Sequence, residues 1–98
     1  MPFRYCEIAD APSAVDSSTI RQVMVCYRFD DSASDFTSSN HVLNEVWQLC
    51  KHTIKATSFC GVYVDGDRER IPYEADAHIN QLSHYCVDRE FTLARYSH

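Results

Sequence analysis

A chain of 98 residues, 45% apolar and 23% charged, has room for one small globular domain and none for a large enzyme. Its net charge of -5, with nine Lys and Arg scattered along the chain, excludes the clustered basic surface that nucleic acid or anionic lipid requires. No apolar run approaches the roughly twenty residues that cross a bilayer, and the first ten residues lack the basic-then-apolar order of a secretion signal, so no address is expected in these 98 residues.

Residues 3–8 (FRYCEI) alternate large apolar and polar side chains, the period of a half-buried strand. A loop rich in Asp, Ser, Ala and Pro follows over 9–18, and residues 20–29 (IRQVMVCYRF) are β-branched and aromatic enough for a second strand. Two strands cannot bury a face alone, so they are expected to close a sheet whose remainder lies elsewhere. Residues 31–40 read as a polar linker ending in good helix-capping residues.

From 41 to 56 the apolar positions Leu43, Val46, Trp47, Cys50 and Ile54 recur at steps of three and four, which predicts an amphipathic helix with Trp47 packed in its stripe. A short extended run over 59–64 leads into a charged cluster. Pro72 is then expected in the first turn of a second helix, where its missing N–H costs nothing. That helix's apolar stripe is Ala75, Ile79, Leu82 and Cys86. Asp88 is expected to cap a third helix starting at Arg89-Glu90-Phe91 and running to the end of the chain.

Five cysteines at uneven spacing do not suggest a disulfide framework, and reduced, partly buried thiols are expected. Cys50 with His52, or His78, His84 and Cys86, could be assembled into a metal set only without the spacing such sites use, so neither metal nor cofactor is called for. His78 is read as a surface residue and His84 as a helix-packing one.

Asp65, Asp67, Arg68, Glu69, Arg70, Glu74 and Asp76 crowd into twelve residues before and inside a helix N-terminus. Carboxylates there are favoured by the helix dipole, which alone could account for them. Yet an apolar run feeds directly into Asp65, and Tyr63, Ile71 and Tyr73 are interleaved with the charges, as in a cleft lined by carboxylates and a stacking ring. A carboxyl can protonate a glycosidic oxygen only if burial or nearby negative charge raises its pKa. Glu69 has candidates for both, while Arg68 and Arg70 pull the other way.

The stretch VYVDGDRERIPYEADAHINQL resembles the first catalytic motif of bacterial α-L-rhamnosidases of the six-hairpin glycosidase class. The flanks agree in the same register: FRYCEI resembles the strand closing the β-sandwich before the barrel, and DFTSSNHVLNEVWQLCKHTI resembles the linker and entry helix. The resemblance implies an α+β fragment. Residues 1–30 would be the last two strands of a β-sandwich, 31–40 a linker, and 41–98 the first helices of an (α/α)6 catalytic toroid, truncated here.

By the same resemblance Glu69 is the general acid that protonates the leaving oxygen, Asp65 and Asp76 bind sugar hydroxyls, and Arg68 holds sugar and acid. Tyr73 stands where most relatives place Trp, keeping a stacking surface and adding a hydroxyl. The loop between Asp65 and Arg68 is shorter than the common form, leaving Asp67 without a role, and Ala75 replaces a frequent Gly. Inversion needs a second carboxylate roughly 6.5 to 9.5 Å from the acid to activate water, and in the family it lies well beyond His98. The expectation is therefore a parent enzyme removing terminal α-L-rhamnose from an oligosaccharide or glycoside, with the isolated chain inactive and the remainder of the barrel as its partner. The alternatives are a non-catalytic fragment that binds sugar or packs as an interaction module, and a six-hairpin glycosidase acting on another sugar.

Overall fold

The computed structural model describes residues 3–65 and 68–97. Among them are three helices and one two-stranded antiparallel sheet, an α+β arrangement. Helix α1 spans His41–Thr57 and begins where the linker supplies its cap: the Asn40 side chain accepts the Val42 N–H at 3.0 Å. Ser38 donates to the Asn44 amide oxygen through its backbone N–H at 2.8 Å and its hydroxyl at 2.9 Å, and the Asn44 amide returns a bond to the Ser38 carbonyl. The linker is thereby clamped to the helix it introduces.

Strands β1 (Ser58–Phe59) and β2 (Val62–Tyr63) pair Ser58 with Tyr63 and Phe59 with Val62. The extended run predicted over 59–64 is thus a hairpin. Its two turn residues, Cys60 at φ 52 and Gly61 at φ 86, are both left-handed, the conformation whose twist matches a tight hairpin. Glycine adopts it without strain, whereas Cys60 does so against its own Cβ.

Helix α2 covers Glu74–Tyr85, and α3 is the short Thr92–Tyr96. Pro72 lies outside the first turn of α2, ahead of the N-cap Tyr73, so its fixed φ aims the chain into the helix from the loop side. Asp88 does not cap α3. Its carboxylate is drawn into the interior, and Glu90 takes the capping role, accepting the Thr92 and Leu93 N–H groups at 2.9 Å each.

The core is small: Tyr63, Ala77 and Leu93 with Tyr27 packed against them. β2 carries Tyr63 between α2 and α3. Against this centre lies His84, fully buried, whose ring stacks on Phe29 at 5.7 Å and meets Tyr63 edge-on. The Tyr63 hydroxyl donates to His84 Nδ1 at 2.7 Å, which leaves Nε2 to face Asp88 Oδ2 at 3.2 Å as the N–H donor. Burial, with the negative charges of Glu90 and Asp88 nearby, holds the Tyr63 phenol far above its ordinary range, so it stays a donor.

Neither segment predicted as a strand forms a ladder. Residues 3–25 are exposed throughout, because no further strand in the described chain offers them a hydrogen-bonding edge. The end of the second segment is anchored differently. The Tyr27 N–H donates to the Ser58 carbonyl at 2.7 Å, Phe29 covers His84, and the Asp30 N–H reaches Asp88 Oδ1. Buried Lys51 then donates to the Asp31 and Ser34 carbonyls, while Lys55 bonds the Asp31 carboxylate.

The stripe expected on α2 is turned outward. Ile79 and Leu82 are 62% and 55% exposed, and Cys86 is exposed too, while Ala77 and His84 are buried and Asn80 and Gln81 half-buried. Helix α1 does the same in part: Ile54 is buried, but Leu43, Val46 and Cys50 stay open and Trp47 is half-covered, stacked on Phe36. The inward faces are set by which groups Tyr63 and Phe29 can satisfy, and a histidine with two partners wins over a leucine with none. Leu82→Ser is accordingly expected to change stability by less than about 0.5 kcal/mol in urea unfolding of the chain. A loss of several times that would return Leu82 to the core.

All five cysteines are free, as expected, but four of them are exposed and only Cys26 is partly covered. Among the described residues no three His, Cys, Asp or Glu side chains converge on a common point as metal ligands would. No described helix is long and apolar enough to cross a membrane.

Candidate active site

β2 delivers the chain into Asp65, and the turn that follows brings it back to α2 at Tyr73. Between them Arg70 adopts a left-handed conformation, φ 55, which reverses the chain so that Ile71 points its N–H at Asp65 Oδ1, 3.3 Å away. Asp65 thus ties the loop's exit to its entrance. Gly66 and Asp67 lie outside the described residues.

Four of the five residues singled out from the sequence meet at Glu69. Arg68 donates through Nη2 to Glu69 Oε1 at 2.5 Å, and the Tyr73 hydroxyl donates to Oε2 at 2.8 Å. The Asp65 carboxylate lies near enough to influence the Glu69 carboxyl. Asp76, half-buried in the first turn of α2, makes no bond to Glu69, but its charge falls on Tyr73.

The electrostatics follow from these contacts. The guanidinium of Arg68, then the hydroxyl of Tyr73, holds the Glu69 carboxyl below its ordinary range. Burial opposes them weakly, since a third of the Glu69 side chain remains open to water. Glu69 is therefore an anion at neutral pH in this arrangement, with one donor on each oxygen. In return, the hydrogen bond to Glu69, with Asp65 and Asp76 adding negative charge, raises the Tyr73 phenol, which stays protonated. From the composition of the cluster alone the pull of the arginines and that of the carboxylates could not be ranked; the short contact from Arg68 ranks them.

The surface around Glu69 is open. A cleft of about 420 Å³ lies elsewhere, between the linker and α1, lined by Asp31, Ser34, Asp35, Trp47, Lys51 and Lys55 among others. It contains none of the five residues, and its two lysines already hold the linker, Lys51 also lying over the Trp47 ring at 5.0 Å. The residue that sequence reasoning undervalued is His84. The visible signal was a histidine four residues before an aspartate on a helix, a spacing that puts both on one face.

What the loop can do chemically is limited and definite. It presents one carboxylate in a fixed orientation and a guanidinium and a phenol able to bond hydroxyl groups, with Asp65 in the loop and Asp76 in the first turn of α2 as nearby carboxylates. Against known proteins, a family model described as the bacterial alpha-L-rhamnosidase 6 hairpin glycosidase domain matches residues 31–96. No curated protein and no solved structure matches the chain. The match begins at the linker, runs through all three helices and includes the whole Asp65 to Tyr73 loop. The chain belongs to the bacterial α-L-rhamnosidase six-hairpin glycosidase family, a family of glycoside hydrolases.

Proposed function

We propose that this chain forms the acid half of the active site of an inverting glycosidase that removes terminal α-L-rhamnose. Glu69 is the general acid, Asp65 and Asp76 bind hydroxyls of the sugar, Arg68 holds both sugar and acid, and Tyr73 lies against the substrate. The carboxylate that activates water comes from the remainder of the catalytic toroid, and residues 1–30 belong to a β-sandwich that precedes it. The observation that carries the reading is the convergence of Asp65, Arg68 and Tyr73 on Glu69, inside the segment the family model matches.

A general acid must hold a proton when the bond breaks, and Glu69 in the open loop does not. Covering the loop with the rest of the domain and with sugar would remove water from Glu69 and engage Arg68 elsewhere, and both changes push the carboxyl up. The experiment is a panel of aryl glycosides given to the enzyme that carries this segment, with the first-formed anomer read by NMR. Release from the α-L-rhamnoside with β-rhamnose as first product is expected. Preference for another glycone would keep the family and change the substrate.

One observation favours a second reading, sugar binding without hydrolysis: Glu69 is already satisfied as an anion and is open to water. That reading expects rhamnose to bind with no turnover on any member of the panel.

A further inference from the structure

The family resemblance puts Tyr73 in the place of a stacking ring, yet its hydroxyl is turned back onto Glu69 at 2.8 Å, and the residue is 44% exposed. The Glu69 carboxyl is held at both ends, by Arg68 on Oε1 and Tyr73 on Oε2. These two donors are not equivalent. A guanidinium only donates, so it can serve the carboxylate but not a proton placed on the same oxygen. A phenol hydroxyl can donate to the anion and, after rotating, accept from the acid.

We propose that Tyr73 is a positioning residue for Glu69, whose hydroxyl keeps the carboxyl in one orientation both as an anion and as an acid. The proposal rests on Glu69 being the proton donor, and it gives Tyr73 a function that an indole, which only donates, would fill for the anion alone. Among the described residues, the charged and titratable groups acting on the pair are Arg68 on the same loop, Asp65 two residues past β2 and Asp76 in the first turn of α2. All of them remain in Tyr73→Phe, which keeps the ring and removes only the hydroxyl.

The test is carboxyl-carbon NMR of Glu69 against pH in the 98-residue chain, wild type and Tyr73→Phe. The bond to the anion is charge-assisted and so stronger than the bond to the acid, and its loss should move the Glu69 midpoint to higher pH. A reciprocal arm follows the Tyr73 ring carbon in Glu69→Gln, where loss of the neighbouring charge should move the phenol midpoint down. If both midpoints stay where they are, Tyr73 does not position Glu69. In the active enzyme, Tyr73→Phe should lower kcat with little change in KM and move the alkaline limb of the rate profile up, because the acid form persists to higher pH. A change in KM alone would leave Tyr73 a stacking ring and overturn the proposal. Neither NMR arm needs catalysis, so failure of Glu69 as the acid and failure of Tyr73 as its positioner are read separately.

Discussion

His84→Ala is expected to destabilise the chain by about 3–5 kcal/mol, the cost of removing one partner from a buried, hydrogen-bonded set. The imidazole has no exposed surface and three things depend on it. The Tyr63 hydroxyl loses its acceptor, the Asp88 carboxylate loses the N–H that faces it, and Phe29 loses the ring it stacks on. Asp88 keeps the Asp30 and Arg89 N–H groups, so its charge is not wholly abandoned. A small domain has about 5–10 kcal/mol in total, and this core of a few side chains belongs at the low end. The variant should therefore lose near-ultraviolet circular dichroism and unfold at low urea. Tyr63→Phe is the graded control, expected to cost about 1–3 kcal/mol for leaving the imidazole nitrogen unpaired. Equal midpoints for wild type and His84→Ala would mean the network contributes nothing to folding.

Glu69→Gln is expected to lower turnover of a rhamnoside with a poor leaving group by about a hundred- to ten-thousand-fold, the usual contribution of general acid catalysis. The amide keeps the size of the side chain and can still accept from Arg68 or Tyr73, but has no acidic proton to transfer to a leaving oxygen. With a nitrophenolate leaving group the loss should be small, since that oxygen departs without protonation. The same variant should lose the alkaline limb of its rate profile: activity that needs a protonated Glu69 declines as pH rises through the Glu69 pKa, and the amide has none. Near-wild-type turnover of an alkyl rhamnoside would remove Glu69 from the acid role whatever its geometry.

The two predictions concern neighbouring parts of one chain segment. Tyr63 sits in β2, two residues before Asp65, so the strand that His84 locks is the strand that leads into the Asp65 to Tyr73 loop. The Ser97 hydroxyl holds the same strand from the other side, accepting the Tyr63 N–H at 3.2 Å. The rigid element and the charged loop are thus built in sequence, with the core directly behind the site.

Helices α1 and α2 were legible from residue order, because capping by Asn40 and the three-and-four spacing of apolar residues act within a turn or two of the chain. So was membership of the charged loop, since Asp65, Arg68, Glu69 and Tyr73 lie within nine residues and need only one reversal to meet. The faces the helices bury were not legible. Periodicity finds an apolar stripe, but whether Leu82 or His84 turns inward depends on Phe29 and Tyr63, residues far off along the chain. The segments 3–8 and 20–29 have strand-like patterning but, among the described residues, no strand to pair with, and a pattern cannot supply the edge it needs. The charge on Glu69 was decided last, by a guanidinium and a phenol closing on its two oxygens. Composition listed the groups that could raise or lower that carboxyl, and only their distances ranked them.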